Sequence, residues 1–380
     1  MEGIVLALFI CLVLALVTKY LSVPAIPFYI LAGVILGQAG LGLVASNEIS
    51  HFLSEMGLIF LLFFMGLGLK IERVLENRSA VLTSGIVDLN VNMIIGFAAS
   101  YLLGFSLVES FVVASAFYIS STAMTLTSLI ENRKLMIKEA ETIIWLMVFE
   151  DLVMIIILAL ISAGNQNLIV FAVKILFVLG ILYALAHYGK EFLISILDRD
   201  DELPILFTFA AVLTTASFSM YLGVPETMMV IALGVAFATT DPDAFEQHAR
   251  PFKDVFLVVF FVFFGVTINL SGGADWFVIA VICTLAVVSK LVSGILTGIY
   301  IHGSALSGIE IWGNTIGRGE FSIALAVLYG SPVVGATIAA MVIVTSIVGA
   351  FMAKYSTSLR RGIVGLGRRS APPRRIHTKH

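Results

Sequence analysis

One apolar stretch of the chain carries two adjacent carboxylates at its centre. Residues 143–161 read IIWLMVFEDLVMIIILALI, with Glu150 and Asp151 in the middle. A run of this length is sufficient to cross the hydrocarbon core of a bilayer as one helix. Each charge at the centre of a membrane helix costs about 2.5–3.5 kcal/mol unless it is protonated, paired or hydrated. The doublet therefore indicates a pathway for protons or cations; the alternative is a structural pair neutralised by a neighbouring helix.

The composition of the whole chain also indicates a membrane protein. Hydrophobic residues make up 59% of the 380 residues and charged residues only 12%, whereas soluble domains carry about 25% charge. The net charge of -3 gives no indication of a nucleic-acid partner. Cys11 and Cys283 lie in apolar runs, where packing is the expected role, so no disulfide framework follows.

Glycine, proline and charge clusters divide the chain into thirteen candidate spans. With an external N-terminus, 19 of the 22 Lys and Arg residues fall on the cytoplasmic side, and the other three, Lys174, Lys290 and Arg318, lie within spans. The positive-inside rule therefore predicts a multi-pass protein of the inner (plasma) membrane, with its N-terminus outside and its C-terminus cytoplasmic. The predicted spans are 3–18, 24–44, 50–69, 80–103, 108–130, 140–163, 167–188, 204–222, 225–240, 254–270, 276–300, 309–330 and 332–353.

Two segments of the chain resemble each other at equivalent positions. FFMGLGLKI (63–71) and VFFGVTINL (262–270) each lie in the third span of a six-span half. The first half covers about 1–163 and the second about 204–355, joined by a linker helix at about 167–188. Such an arrangement places the halves in opposite orientations, as in the inverted repeats of secondary transporters. Residues 356–380 follow the transmembrane domain (1–355) and are predicted to form a basic cytoplasmic tail.

Polar residues interrupt spans five and twelve, which are equivalent spans of the two halves. Span five contains Ser120-Ser121-Thr122-Ala123, whose hydroxyls can release the helix from its regular hydrogen bonds. Span twelve contains GNTIGRGE (313–320), with Arg318 and Glu320 inside the span. Interrupted helices at matching positions indicate the binding site of a transporter. Small residues that let helices pack closely are the alternative reading, and they account for span five better than for span twelve.

Lys290 is a single cation within span eleven. It lies about 15 Å from the nearer predicted end of that span, which is too far for its ammonium to reach water easily. We therefore expect a carboxylate partner, and Glu150 is the candidate. Asp88, together with Asn90 and Asn92, forms a polar strip on span four that predicts interhelical hydrogen bonds.

Five motifs, in order along the chain, resemble the monovalent cation:proton antiporter superfamily and most closely its Kef-type branch. The similarity extends from about Pro24 to Tyr355. The motifs are PFYILAGVILGQAGLG (27–42), GLIFLLFFMGLGL (57–69), SSTAMTLTSLIENRKLM (120–136), FEDL (149–152) and GRGEFSIAL (317–325). The chain departs from the Kef-type pattern at Glu150, where those proteins have Gln.

The resemblance implies an all-α membrane protein with the NapA/NhaA-like antiporter fold. That fold has thirteen transmembrane helices in two inverted six-helix repeats with crossed discontinuous helices. It also implies a homodimer, with a scaffold and a mobile core that carries spans three to six and ten to thirteen. Asp151 matches the essential cation and proton carboxylate. Lys290 matches the intramembrane lysine that pairs with the preceding acid in NapA-type relatives.

The expected function is exchange of Na+ or K+ for H+ by alternating access, without a cofactor. A carboxylate binds either a proton or a hard cation, so one group can couple opposite fluxes. The expected cation/proton-binding residues are Asp151, Glu150, Ser121 and Thr122, with the monovalent cation at Asp151, and Lys290, Arg318 and Glu320 compensate charge. The alternative is a cation channel without proton coupling. No nucleophile or metal-ligand constellation predicts an enzyme.

Three properties of the exchange remain open at the level of sequence: the cation, the direction and the stoichiometry. Neither the choice between Na+ and K+ nor the physiological direction of exchange follows from the residues. The adjacent acids with an intramembrane lysine favour electrogenic exchange. Electroneutral exchange follows instead if the Glu150–Lys290 pair stays ionised throughout the cycle.

Overall fold

The computed structural model of the protein describes residues 2–21, 24–37, 39–45, 47–69, 71–164, 166–268 and 275–369. Positions 38, 70, 269 and 270 of the motifs above, and 370–380 of the tail, lie outside these ranges. Helices are the only regular secondary structure in the described part of the chain, which contains no strand. The helices are α1 (Glu2–Leu21), α2 (Ile26–Leu36), α3 (Glu48–Leu67), α4 (Ile71–Glu76), α5 (Arg78–Leu102), α6 (Leu107–Tyr118), α7 (Thr122–Glu131), α8 (Lys138–Ala163), α9 (Leu168–Tyr188), α10 (Lys190–Leu197), α11 (Leu203–Leu222), α12 (Glu226–Phe237), α13 (Pro242–Thr267), α14 (Trp276–His302), α15 (Ala305–Thr315), α16 (Glu320–Tyr329) and α17 (Pro332–Arg369).

Eight helical segments of the described chain are long and apolar enough to cross a membrane. Four shorter apolar helices accompany them, in α1, α2, α12 and α16. The protein is therefore an all-helical membrane protein, as the sequence predicted. Helical residues lie at every predicted span, and α4 and α10 are short additional helices.

The helices pack in two groups. We call α1–α3 and α9–α13 the scaffold group, because these helices pack mainly on one another. We call α5–α8 and α14–α17 the core group for the same reason. The groups touch mainly where α2 meets α17 and where α8 meets α9 and α12. The expectation that spans three and ten belong to the core was wrong, because α3 and α13 pack on each other and on other scaffold helices.

Glycines explain why α3 and α13 lie in the scaffold group. A Cβ atom on Gly265 of α13 would lie 2.2 Å from the carbonyl oxygen of Ile30 on α2. A Cβ atom on Gly66 of α3 would lie 2.2 Å from the carbonyl oxygen of Ile231 on α12. In a bilayer, small residues at such contacts let helix backbones approach closely, and this packing holds membrane helices together. The glycines of the two similar motifs therefore fix both helices to scaffold partners.

Substitution of Gly265 by Ala is expected to destabilise the protein by about 1–3 kcal/mol, because the new methyl group cannot fit against α2 without a backbone shift. The matched control is Gly180→Ala on α9, where a Cβ atom would meet nothing within 4 Å. That change should be neutral or stabilise the helix by about 0.5–1 kcal/mol. Thermal unfolding in detergent measures both. Equal unfolding temperatures for the two variants would contradict the close α2–α13 contact.

Candidate functional site

Two interrupted helices contact each other at their breaks. Residues 119–121 separate α6 from α7, and residues 316–319 separate α15 from α16. The backbone N–H of Ser121 donates to the carbonyl oxygen of Gly317 at 2.8 Å, which joins the two breaks directly. The interruptions predicted in spans five and twelve are thus present in the structure.

Hydroxyl groups of one interrupted helix satisfy carbonyl groups of the other. Ser120 Oγ donates to the carbonyl of Thr315 at 2.9 Å, and Thr125 Oγ1 donates to that of Asn314 at 2.8 Å. The last carbonyls of a helix lack partners within that helix, and leaving them unpaired in a membrane is costly. The polar run in span five therefore stabilises the break in span twelve.

Arg318 lies at the C-terminal ends of α6 and α15. Its guanidinium donates from Nε (3.0 Å) and a terminal nitrogen (2.6 Å) to the carbonyl of Phe117, and from the other terminal nitrogen to that of Ile316 at 2.6 Å. Its side chain is fully buried. Helix C-termini carry partial negative charge, which a cation at this position offsets. This geometry fits the charge-compensating role expected of Arg318.

Two carboxylates lie at the N-terminal ends of the other two half-helices. Glu320 is the first residue of α16, and its Oε2 accepts a hydrogen bond from Ser121 Oγ at 3.2 Å. Asp151 belongs to α8 and lies beside the start of α7. Thr122 Oγ1, at that start, is 3.3 and 3.4 Å from the two carboxylate oxygens of Asp151. The partial positive charge of a helix N-terminus stabilises an anion there. Of the two hydroxyls expected beside Asp151, the structure places Thr122 there and Ser121 beside Glu320.

Glu150 is bound to the break in span five. Its carboxylate accepts one hydrogen bond from the backbone N–H of Ser120 and another from Ser120 Oγ at 3.1 Å. Its Oε1 lies 2.7 Å from Lys290 Nζ, which is the contact expected from the sequence. Glu150 and Asp151, adjacent on α8, therefore face different partners, Glu150 an ammonium and Asp151 a hydroxyl.

Lys290 has a second carboxylate partner that the sequence did not identify. Asp88 Oδ2 lies 2.7 Å from Lys290 Nζ, and both side chains are almost inaccessible. The polar strip on span four also makes the predicted interhelical hydrogen bonds, since Ser289 Oγ donates to Asn92 Oδ1 at 2.7 Å. A usable signal existed, because Asp88 and Lys290 lie on spans four and eleven, the equivalent spans of the two halves.

A cavity of about 670 Å³ extends from the protein surface to the breaks. Its lining includes the exposed Lys19, Glu131 and Lys354, and the buried Asn314 and Gly317. Ala123 also lines it, one residue after the Thr122 that contacts Asp151. Lys19 and Lys354 are among the basic residues that were predicted to face the cytoplasm. The cavity thus connects one face of the protein to the helix breaks.

A second buried ion pair joins the middle of α15 to the loop before α8. Lys134 Nζ lies 2.9 Å from Glu310 Oε2, and Ser356 Oγ of α17 donates to the same oxygen at 2.7 Å. Arg360 pairs with the buried Glu139 at 2.9 Å. These contacts hold α17 beyond residue 353, its predicted end, so the helix continues into the predicted tail. Sequence alone gave no signal, because Lys134 lies in a basic segment typical of a solvated loop.

Arg318→Lys is expected to destabilise the protein by about 2–4 kcal/mol, because an ammonium cannot reproduce the donors shared between two carbonyls. Arg199→Lys is the matched control, since Arg199 forms an exposed ion pair with Asp201. It should change stability by less than about 0.5 kcal/mol. Unfolding in detergent measures both variants. A loss at Arg318 no larger than that at Arg199 would contradict its role at the helix ends.

The pattern of transmembrane sodium/hydrogen exchangers matches residues 4–357 of the chain. The chain belongs to the sodium/hydrogen exchanger family. This membership confirms, at the level of the family, the resemblance to cation:proton antiporters drawn from the five motifs. The exchangers are transporters, which agrees with the expectation that the chain is not an enzyme.

Individual members of the exchanger family extend the similarity over nearly the whole chain. The K(+)/H(+) antiporter subunit KhtU of Bacillus subtilis (strain 168) is 28% identical, covering 93% of this chain and 93% of its own. The probable Na(+)/H(+) antiporter GerT of Bacillus cereus is 28% identical, covering 80% and 84%. The solved structure of the sodium proton antiporter MjNhaP1 from Methanocaldococcus jannaschii at pH 8 matches with a TM-score of 0.71 at 18% identity, covering 95% and 97%. The last comparison shows that the exchanger fold is shared.

Proposed function

We propose that the protein exchanges a monovalent cation, Na+ or K+, for H+, and that Asp151 binds the two alternately. The observation that carries this proposal is the position of Asp151. It lies at the N-terminus of a half-helix, within hydrogen-bond distance of Thr122 Oγ1 and next to two helix breaks that contact each other. The names of the relatives, which include K+/H+ and Na+/H+ antiporters, support the same activity.

Competition at one carboxylate supplies the coupling. Asp151 holds a proton or ligates a hard cation through oxygen, and the two states exclude each other. Thr122 and water provide further oxygen ligands to the cation. Ser121, the residue before Thr122, donates to Glu320. The helix N-terminus stabilises Asp151 when it carries neither ion. A transport cycle therefore needs no other source of energy than the two ion gradients.

The packing of the scaffold helices supports thirteen spans in two inverted repeats. The third helix of each half packs on the second helix of the other half, as α3 on α12 and α13 on α2, with a glycine at each contact. The breaks in α6/α7 and α15/α16 have the same reciprocal relation. Reciprocal packing of this kind is expected of two related halves in opposite orientations.

Movement of the core group against the scaffold group provides alternating access. The cavity described above opens on the face that carries Lys19 and Lys354, which we assign to the cytoplasm. At the opposite end, Ser162 Oγ of the core is within 3.5 Å of Thr227 Oγ1 of the scaffold and hydrogen-bonded to Tyr329. On this assignment, the one-sided cavity supports an inward-facing state. In this assignment the protein spans the plasma membrane with its N-terminus outside and forms a homodimer through its scaffold group.

A cation channel is the competing function. A channel requires a continuous pore, commonly formed around a symmetry axis by several subunits. The cavity seen here reaches the breaks from one side, and at the opposite end the Ser162–Thr227 hydrogen bond joins the core to the scaffold. A carrier fits this one-sided access better than a channel does.

Reconstituted liposomes with a pH-sensitive dye inside test the function. Addition of Na+, K+ or NH4+ in separate runs should change internal pH in the direction of proton movement opposite to the cation, for at least one of these cations. The wild-type chain and protein-free liposomes are compared at equal buffering. Cation uptake without any change in internal pH would instead establish a channel.

A further inference from the structure

Two carboxylates share Lys290, and they belong to different parts of the core. Asp88 Oδ2 and Glu150 Oε1 each lie 2.7 Å from Lys290 Nζ. A buried ammonium with one carboxylate partner loses its compensation when that partner leaves, at considerable cost. An ammonium with two partners keeps one of them. The second partner therefore changes what Glu150 can do.

Asp88 is held by residues that do not belong to the breaks. Its Oδ1 accepts hydrogen bonds from Ser293 Oγ at 2.6 Å and from Asn92 Nδ2 at 2.9 Å. Ser289 orients Asn92 through the bond noted above. All of these residues lie on α5 and α14, which pack directly on each other. A rearrangement at the breaks leaves this set of contacts in place.

Glu150, in contrast, depends on the break in span five. Apart from Lys290, its partners are the backbone N–H and the hydroxyl of Ser120, within that break. It also precedes Asp151 on α8. Any change of the break on cation binding therefore reaches Glu150 before it reaches Asp88.

We propose that Asp88 is the permanent counter-ion of Lys290, which leaves Glu150 free to move from Lys290 to the cation at Asp151. Asp88 is then a positioning residue, and the inference rests on the proposed antiport function. With the cation bound, Glu150 and Asp151 share it while Asp88 holds Lys290. With the proton bound, Asp151 carries it and Glu150 returns to Lys290.

The charge of the four groups is the same in the two states. Asp88, Lys290, Glu150 and Asp151 sum to one negative charge with either one cation or one proton bound. Lys290 keeps its own proton throughout, so one cation exchanges for one proton without net charge movement. The sequence favoured electrogenic exchange on the expectation that Glu150 was the sole partner of Lys290.

The neighbouring ionisable groups do not take the place of Asp88 as the counter-ion of Lys290. The ring of Tyr118 lies 5.5 Å from Lys290 Nζ, and Arg318 donates to backbone carbonyls. Glu320 is bound to Ser121, as described above. On α15, which also packs on α14, Glu310 is paired with Lys134. Within the described part of the chain, Asp88 and Glu150 are the carboxylates within 4.0 Å of Lys290.

The test measures the initial rate of cation uptake, which gives the KM, and the cation distribution at equilibrium. Liposomes with a fixed pH gradient are used at two membrane potentials set by a lipophilic cation. The wild-type distribution should follow the pH gradient and ignore the potential. In Asp88→Asn, movement of Glu150 leaves Lys290 uncompensated, so the KM for the cation should rise by about tenfold or more. Lys290 should then release its proton when the cation binds, which makes the distribution depend on the potential. Asp88→Glu should restore the wild-type response.

Ser100→Ala is the matched control, because Ser100 is a buried polar residue of the same helix whose hydroxyl bonds only to the carbonyl of Gly96 among the described contacts. It should leave the KM and the response to potential unchanged. A wild-type distribution that follows the potential contradicts the proposal, and this result does not depend on any variant folding. Unchanged KM and potential response in a folded Asp88→Asn variant also contradict it. Absence of any coupled exchange in the wild type would instead contradict the proposed function itself.

Discussion

Asp151→Asn is expected to yield a folded, membrane-inserted protein that exchanges no cation for protons. The amide has nearly the same size as the carboxylate and can still bond to Thr122 Oγ1, which lies 3.3 Å from Asp151 Oδ1 in the wild type. It cannot bind a proton in the same pH range or neutralise a cation. Binding and release of both ions therefore stop together. Dye-loaded liposomes should show exchange no greater than protein-free liposomes.

A neutralised carboxylate elsewhere provides the control for this variant. Asp254 lies on α13 with its side chain 61% exposed, so Asp254→Asn should exchange ions at the wild-type rate. Both variants should give the same elution profile and unfolding temperature as the wild type in detergent. Exchange near the wild-type rate in Asp151→Asn would place the essential carboxylate elsewhere. Glu150, the adjacent acid, would then be tested next.

Lys290→Met should destabilise the protein more than any other single substitution in the ion-paired cluster, which consists of Asp88, Glu150 and Lys290. The change removes the ammonium from two buried carboxylates at once and leaves Asp88 and Glu150 without a cation at 2.7 Å. Removing one partner of a buried pair costs about 3–5 kcal/mol. Glu150→Gln should cost less, because Asp88 still compensates Lys290. Unfolding of the variants in detergent measures the order.

Combined substitutions separate pairing from general damage. A triple variant, Asp88→Asn with Glu150→Gln and Lys290→Met, carries no charge in the cluster and should recover part of the stability lost in Lys290→Met. Interacting residues give changes that do not add, whereas independent residues give changes that do. Strict additivity of the single changes would show that the three side chains do not interact as the distances indicate.

The long helices and both breaks could be predicted from the sequence because the signals are local. Apolar runs of sufficient length give the spans, and the polar residues near Ser120 and the glycines near Arg318 give the interruptions. The Glu150–Lys290 contact also followed from one simple rule, that a buried ammonium needs a carboxylate. These features follow from one requirement, that polar and charged groups inside a bilayer find partners within the protein.

Features that depend on which helix packs on which could not be predicted. The grouping of α3 and α13 with the scaffold follows from glycine contacts between distant helices, such as Gly265 with α2. Asp88 was interpreted as a hydrogen-bonding residue because its local sequence does not identify a lysine partner 202 positions later; only the equivalence of spans four and eleven gave a signal. The Lys134–Glu310 pair was missed because burial of a loop lysine is set by tertiary structure alone.

The competition between cation and proton at Asp151 can be measured directly by calorimetric titration of the purified protein with the transported cation. Titrations in two buffers of different ionisation enthalpy give the number of protons released per cation bound. The wild-type protein should release protons as the cation binds at a pH where Asp151 is protonated, and Asp151→Asn should release none. Cation binding to the wild type without proton release, or equal release from Asp151→Asn, would contradict exchange at this carboxylate.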